Sequence, residues 1–158
     1  MTERRRALMS WSSGKDSAFA LHVARSGGEL EVVGLLTTIN EAADRVSMHG
    51  VRRELLARQA EALGLPLHVV ALPSPCSNEV YEQRMAAFVE RARAEGIEAV
   101  VFGDLFLADM RAYRERQLAG TGLAPVFPLW GRDTRELAEA MLAAGVVATL
   151  SCVDLRKL

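Results

Sequence analysis

The chain has 158 residues, 50% of them apolar and 25% charged, with a formal net charge of -1. That length suits one domain around one core, and the near-neutral charge excludes a broad basic surface for nucleic acid as well as an acidic, disordered tail. The basic start MTERRR is followed by too few apolar residues before Ser12 for a signal-peptide core or a membrane span, so a cytoplasmic protein with no membrane partner is expected.

In chain order, ALMSW (7–11) is a short apolar run, and SSGKDS follows it directly, before a helix-like stretch at 17–25. LEVVGLLTTI (30–39) is longer and β-branched; residues 51–63 then take helical spacing, with Val51, Leu55, Leu56, Ala60 and Leu63 as the apolar positions. LHVVAL (67–72) precedes a helix over 78–95, EAVVFG (98–103) a helix over 110–119, and LAPVFPL (123–129) a helix over 134–144. VVATLSCV (146–153) then reads as a last strand. Gly64, Gly96 and Gly145 stand where helix-ending glycines are favoured, and Asp133 or Thr134 can cap the last helix. Near-continuous apolar strands alternating with amphipathic helices predict a three-layer α/β/α sandwich around a mainly parallel, doubly wound sheet. In such sheets ligands gather at the carboxyl ends of strands beside helix N-termini. Four loops, 12–17, 37–49, 72–78 and 103–109, should therefore share one neighbourhood.

The first of these loops has the composition of an anion site. Gly14 is expected to supply backbone angles closed to other residues, the following helix start offers free N–H groups, and Ser12, Ser13 and Ser17 add hydroxyls. Of 19 basic residues 17 are arginine, the lysines being Lys15 and Lys157, so Lys15 suggests a place where a compact ammonium meets a phosphate. The loop is not a Walker A motif, because Met9 stands at the first glycine position and Asp16 follows the lysine. Asp16 would repel a bare phosphate, and makes sense if Mg²⁺ comes with a polyphosphate. No Ser-His-Asp or Cys-His order is apparent, and Cys76 and Cys152 form no CxxC or zinc pattern.

SSGKDS resembles the SGGxDS pyrophosphate loop of the PP-loop ATP pyrophosphatases, in the adenine nucleotide alpha hydrolase-like (HUP) superfamily; Ser13 stands where that loop usually has a second glycine. MHGVRRELLARQAEALGLPL (48–67), GDLFLADMRAYRERQLAGTGLAPVFPLW (103–130) and LAEAMLAAGVVATLSCVD (137–154) extend the likeness over nearly the whole chain. Together they are similar to the diphthine ammonia ligase family, specifically its bacterial-type relatives. The resemblance implies that Ser12, Ser13, Gly14, Lys15, Asp16 and Ser17 hold the β and γ phosphates of ATP with Mg²⁺, Asp16 serving the metal. It also implies that Leu36 and Thr37 meet adenine through backbone groups and that His49 lies beside the phosphate path. Gly103 and Asp104 would face the α-phosphate or the acceptor, with Asp16 and Asp104 as the catalytic carboxylates. The implied reaction is attack of a substrate carboxylate on the α-phosphorus, then displacement of AMP by ammonia to make an amide. It needs positioning and charge neutralisation more than a protein nucleophile.

Tyr113 and Arg114 in RAYRER read either as a solvated helix face or as the binding site of an anionic acceptor. Trp130 reads as core or as a stacking surface, and Cys76 as a plain loop residue or a thiol at the ligand edge. Family members continue past the VD at 153–154 into a Gly-Glu-rich segment, so 1–158 is expected to be a single PP-loop ATP-binding domain lacking that extension. The expected partners are ATP or AMP, an unidentified carboxylate acceptor and ammonia, with dimerisation as one way to cover the apolar end and nucleic acid not expected. A nucleotide-binding module without ligase activity is the alternative reading.

Overall fold

The computed structural model describes residues 4–157. In chain order it has β1 (Arg5–Ser10), α1 (Lys15–Ser26), β2 (Leu30–Asn40), β3 (Arg45–Val46), α2 (Arg53–Leu63) and β4 (Leu67–Leu72). It continues with α3 (Asn78–Ala94), β5 (Ala99–Val101), α4 (Ala108–Leu118), β6 (Ala124–Val126), α5 (Thr134–Ala143) and a short 3₁₀ turn at Leu155–Lys157. Five parallel strands lie in the order β4-β2-β1-β5-β6, and β3 is a short antiparallel addition to the end of β2. The chain winds outward from β1 through β2 to β4, then returns to the other side of β1 with β5. The switch point is the crevice beyond the carboxyl ends of β1 and β5.

Side-chain alternation sorts the core into two layers, as the expected sandwich requires. Ala7, Met9, Ala99 and Val101 face one side, with Phe19 and Leu21 of α1, Leu56 of α2 and Leu137 and Met141 of α5. Leu8, Val70, Val100 and Phe102 face the other, with Phe88, Val89 and Ala92 of α3 and Leu118 of α4. In β2, Leu30 and Val32 share a layer with Leu35 and Ile39, which alternation by two would forbid. A register shift against β1, from Ala7 opposite Val32 to Leu8 opposite Gly34, absorbs the odd residue. Gly34 leaves room there for two side chains, since a Cβ would come within 2.9 Å of His68 Nε2 and 3.0 Å of Leu8 Cδ2.

Two terminations follow the expected chemistry. Asp133 caps α5, its Oδ1 accepting from the N–H of Arg135 at 2.9 Å and of Glu136 at 3.0 Å. Gly64 ends α2 in the left-handed conformation, φ 65°.

The strand expected at 146–153 does not form. Beyond Val146, whose N–H closes α5 onto Met141 O at 2.9 Å, the segment joins no sheet, and Val147 and Leu150 are 95% and 81% exposed. The reason lies in the edge it would have to join. Ala124 and Val126 turn their polar backbone groups to β5 (Ala124 N to Glu98 O, 2.9 Å; Phe102 N to Val126 O, 2.8 Å), so the residue facing outward from β6 is Pro125, which has no N–H to offer. Apolar, β-branched sequence makes a strand only where a ladder accepts it.

Candidate functional site

The loop between β1 and α1 is tied into a closed ring of hydrogen bonds. Gly14 N–H reaches Ser12 Oγ at 3.4 Å, the Ser12 and Ser17 hydroxyls lie 3.2 Å apart, and Ser17 Oγ donates to Gly14 O at 3.0 Å. Ser17 is buried and spends its hydroxyl on this ring. α1 begins at Lys15, two residues earlier than expected, and Gly14 at its cap gives no side-chain hydrogen bond. The first N–H groups of α1 are thus left for an anion, reinforced by the helix dipole.

The strained residue of the loop is Ser13 and not Gly14, contrary to expectation. Ser13 has φ 70°, whereas Gly14 has φ -95° and ψ 169°, open to any residue. A left-handed serine costs on the order of 1–2 kcal/mol, and it falls at the position where the resemblance expects glycine. Gly14 instead leaves the approach to α1 free of a side chain.

Lys15 Nζ and Asp16 Oδ1 pair at 2.6 Å, with side chains 50% and 37% exposed. An exposed pair of this kind is worth about 0–1 kcal/mol, so both groups can turn to a ligand at little cost. Among the described residues there is no cluster of three His, Cys, Asp or Glu able to hold a metal alone. A single partly exposed carboxylate suits Mg²⁺ that shares its coordination with phosphate oxygens and water.

β5 delivers Gly103 and Asp104 to the same place. A Cβ on Gly103 would lie 3.0 Å from the Asp16 carbonyl carbon and oxygen and from Ser17 N, so α1 starts directly against the end of β5. Asp104, next in the chain, sets its Oδ2 3.7 Å from Arg114 Nε, while the Arg114 guanidinium stacks 5.0 Å from the Phe102 ring centroid.

Beside the loop opens a cleft of 1320 Å³ lined by residues of all four expected loops. Ser12, Leu36, Thr37, His49, Tyr113 and Arg114 line it; Ser13, Gly14, Lys15, Asp16, Ser17, Gly103 and Asp104 stand outside its lining. The β1 pairing of β2 ends with Trp11 N to Leu36 O at 2.7 Å, and the β3 pairing begins with Ser47 N to Thr38 O at 2.9 Å. Between them Thr38 N–H is left without a backbone partner among the described residues, whereas Leu36 O is spent on Trp11 and Thr37, opposite Val69, belongs to the β4 ladder. The Thr37 hydroxyl is buried and has no hydrogen-bond partner. His49 is exposed in the turn after β3, three residues removed from α2. Tyr113 OH accepts from Gln117 Nε2 at 2.9 Å, and its burial, with Tyr81 beside it, pushes its phenol up to about 12. Trp130 and Phe127 hold the Arg111 guanidinium at 4.9 and 4.7 Å, a packing role. Cys76 is exposed and lines the cleft, and Cys152 is exposed in the terminal segment.

Diphthamide synthase N-terminal domain is the family that matches this chain, over residues 5–125, a span containing the phosphate loop, the turn after β3, Gly103–Asp104 and Tyr113–Arg114. The chain belongs to that family. Membership places it in the PP-loop superfamily of ATP-utilising proteins, and the fold agrees. The U34-tRNA thiolase NcsA from Methanococcus maripaludis, solved with its 4Fe-4S cluster, superposes with a TM-score of 0.52 at 16% identity, over 99% of this chain and 63% of that one. Formyltetrahydrofolate deformylase from Burkholderia mallei matches at a TM-score of 0.43 and 17% identity, over 75% of this chain and 36% of that one. The chain thus spans less than two thirds of either solved structure. No curated protein matches it. Among the described residues no helix is long and apolar enough to cross a membrane.

Sequence reasoning missed Phe102, on which Arg114 rests, and Trp11, whose Nε1 donates to Gln59 Oε1 at 2.9 Å and ties the start of the phosphate loop to α2. Both look like core residues in the string. For Phe102 the one available signal was its place immediately before GD.

Proposed function

We propose that this chain binds ATP with Mg²⁺ at the start of α1, cleaves it to AMP and pyrophosphate, and uses the energy to make an amide from a carboxylate and ammonia. The observation that carries this is the uncapped α1 start packed on Gly103 at the sheet's switch point, in a member of a PP-loop family. Free N–H groups of the first turn, with Gly14 and Lys15, take the β and γ phosphates; Asp16 takes the metal, which neutralises polyphosphate charge when bound. The Thr37 hydroxyl and the Thr38 N–H take the adenine, and His49 stands by the phosphate path. Tyr113 and Arg114 form the acceptor end.

The bonds balance without a protein nucleophile. A carboxylate oxygen attacks the α-phosphorus and pyrophosphate leaves; ammonia attacks the acyl carbon, AMP leaves with the bonding pair, and the amide nitrogen sheds its proton to solvent. The protein's part is to hold the carboxylate and the α-phosphorus in line.

Titration calorimetry with Mg-ATP on the wild type and Asp16→Ala, followed by analysis of the nucleotide, tests this. We expect affinity to fall at least about tenfold in the variant, a loss of about 1.4 kcal/mol, with an unchanged melting temperature, and the wild type to form AMP and pyrophosphate. ADP and phosphate as products, or unchanged binding by Asp16→Ala, would sink the proposal. Tight binding without turnover would assign the chain as a nucleotide-binding module.

A further inference from the structure

At 1320 Å³ the cleft exceeds the roughly 300–1,000 Å³ of a single small-molecule site, and its lining divides in two. One part, Ser10, Trp11, Ser12, Thr37, Thr38 and the turn after β3, adjoins the phosphate loop. The other reaches the second core layer between α3 and α4, with Met85, Phe88, Val89, Leu118 and Leu123 in its apolar wall. Its polar residues are Glu82, Arg116, Gln117 and Thr121. A run of contacts joins the phosphate end to this apolar compartment: the first turn of α1 lies on Gly103, Asp104 follows in the chain, and Asp104 faces Arg114, which lines the cleft.

Arg114 is incompletely satisfied. Its Nε is buried and has no hydrogen-bond partner, because the Asp104 carboxylate at 3.7 Å is near enough to attract it but too far to bond it. One face of the guanidinium is covered by Phe102. A buried cationic donor in this state is costly to leave unmet, and a planar fork of N–H groups is matched best by a carboxylate. The other charged residues of the cleft, Arg45, His49, Glu82, Asp109 and Arg116, are exposed, whereas the Arg114 side chain is 27% exposed with its Nε alone fully shielded.

We propose that Arg114, aimed by Asp104, anchors the carboxylate of the acceptor, and that the acceptor is a carboxylic acid with an apolar alkyl or aryl body lying in the compartment between α3 and α4. This rests on the ligase reading. Asp104 is then a positioning residue for Arg114 and not a group that touches the reacting atoms. A polar body, such as that of glutamate, would lose its solvation against Met85, Phe88 and Leu123 and could recover it only by turning to Glu82, Arg116 or Gln117 elsewhere in the lining, which disfavours it.

The test is titration calorimetry of the full chain with 4-phenylbutyrate and with glutamate, alone and after loading with Mg²⁺ and an ATP analogue bridged by methylene between the α and β phosphorus. Phenylbutyrate should bind at least about tenfold tighter than glutamate. Arg114→Leu should lose that binding and Arg114→Lys recover part of it; Asp104→Asn should weaken it and Asp104→Glu restore it, a rescue that a merely structural role would not produce. Arg114→Gln, close in shape, repeats the measurement if Arg114→Leu does not fold. Equal binding of the two acids, binding of neither by the wild type, or indifference to both Arg114→Gln and Asp104→Asn overturns the proposal. If the analogue fails to bind while phenylbutyrate still binds through Arg114, the ATP reading fails and the anchor stands; the reverse pattern overturns the anchor alone.

Discussion

The two ends of the site are built by different means. At the end proposed for phosphate the groups on offer are backbone N–H groups, and what matters is where α1 starts and how closely Gly103 approaches it. At the end proposed for the acceptor the polar groups are side chains of α4, held by Phe102, Asp104 and Gln117. Backbone groups presented by a strand-to-helix turn are lost only by substitution with proline, but they can be displaced by a change in packing. Side chains on a helix face can be exchanged one at a time, so the acceptor end can change while the phosphate end stays as it is.

Substitutions that affect one end only would sharpen this contrast. The largest effect is expected for Gly103→Val, whose branched side chain would begin 3.0 Å from backbone atoms of Asp16 and Ser17 that have nowhere to go. Overpacking of this kind costs about 1–3 kcal/mol, and chemical denaturation should show it together with loss of Mg-ATP binding. Retention of both stability and binding would break the claim that close backbone approach builds the phosphate end. Asp133→Ala, which removes the cap of α5 and touches neither end, should cost about 1 kcal/mol in the same assay, with Mg-ATP binding as in the wild type.

Ser13→Gly should act in the opposite direction. Relief of a left-handed serine, less the entropy that an extra glycine adds to the unfolded chain, leaves a gain of about 0.5–1 kcal/mol. A lower denaturation midpoint would show that the Ser13 side chain contributes more than its strain costs. The smallest effect concerns Tyr113, whose phenol is raised to about 12 mainly by burial. Between the ordinary tyrosine value near 10 and about 12 the unfolded chain gives up this proton more readily than the folded one, so stability falls as pH rises through that window. Tyr113→Phe should flatten the decline, as urea midpoints measured from pH 9 to 11 would show; an unchanged slope would mean that the partial burial of Tyr113 does not hold its proton.

Much of the architecture was legible because it depends on local chemistry. Each apolar run from LHVVAL to LAPVFPL became or contained a strand, and the four loops named from their place after strands do meet, at the cleft. Two readings failed where the deciding partner is remote in sequence. LHVVAL and VVATLSCV are similar strings, yet the first pairs with β2 over its whole length while the second meets an edge whose outward residue is Pro125. In the phosphate loop Gly14 was expected to take the unusual backbone angles, but Ser13 takes them, since composition shows that a turn occurs and not which of its residues carries the turn.

By itself the sequence determined the alternation of strands and helices, the strand-to-helix turn at SSGKDS, and the closeness of that loop to GD, because periodicity and turn chemistry are properties of neighbouring residues. The tertiary structure alone decided that Gly103 must lie on the first turn of α1, that Phe102 and Asp104 serve Arg114, and that 146–153 stays unpaired. Those outcomes depend on which surfaces meet when the layers pack, and a strand, an ion pair or a close approach exists only where a distant part of the chain supplies the other half.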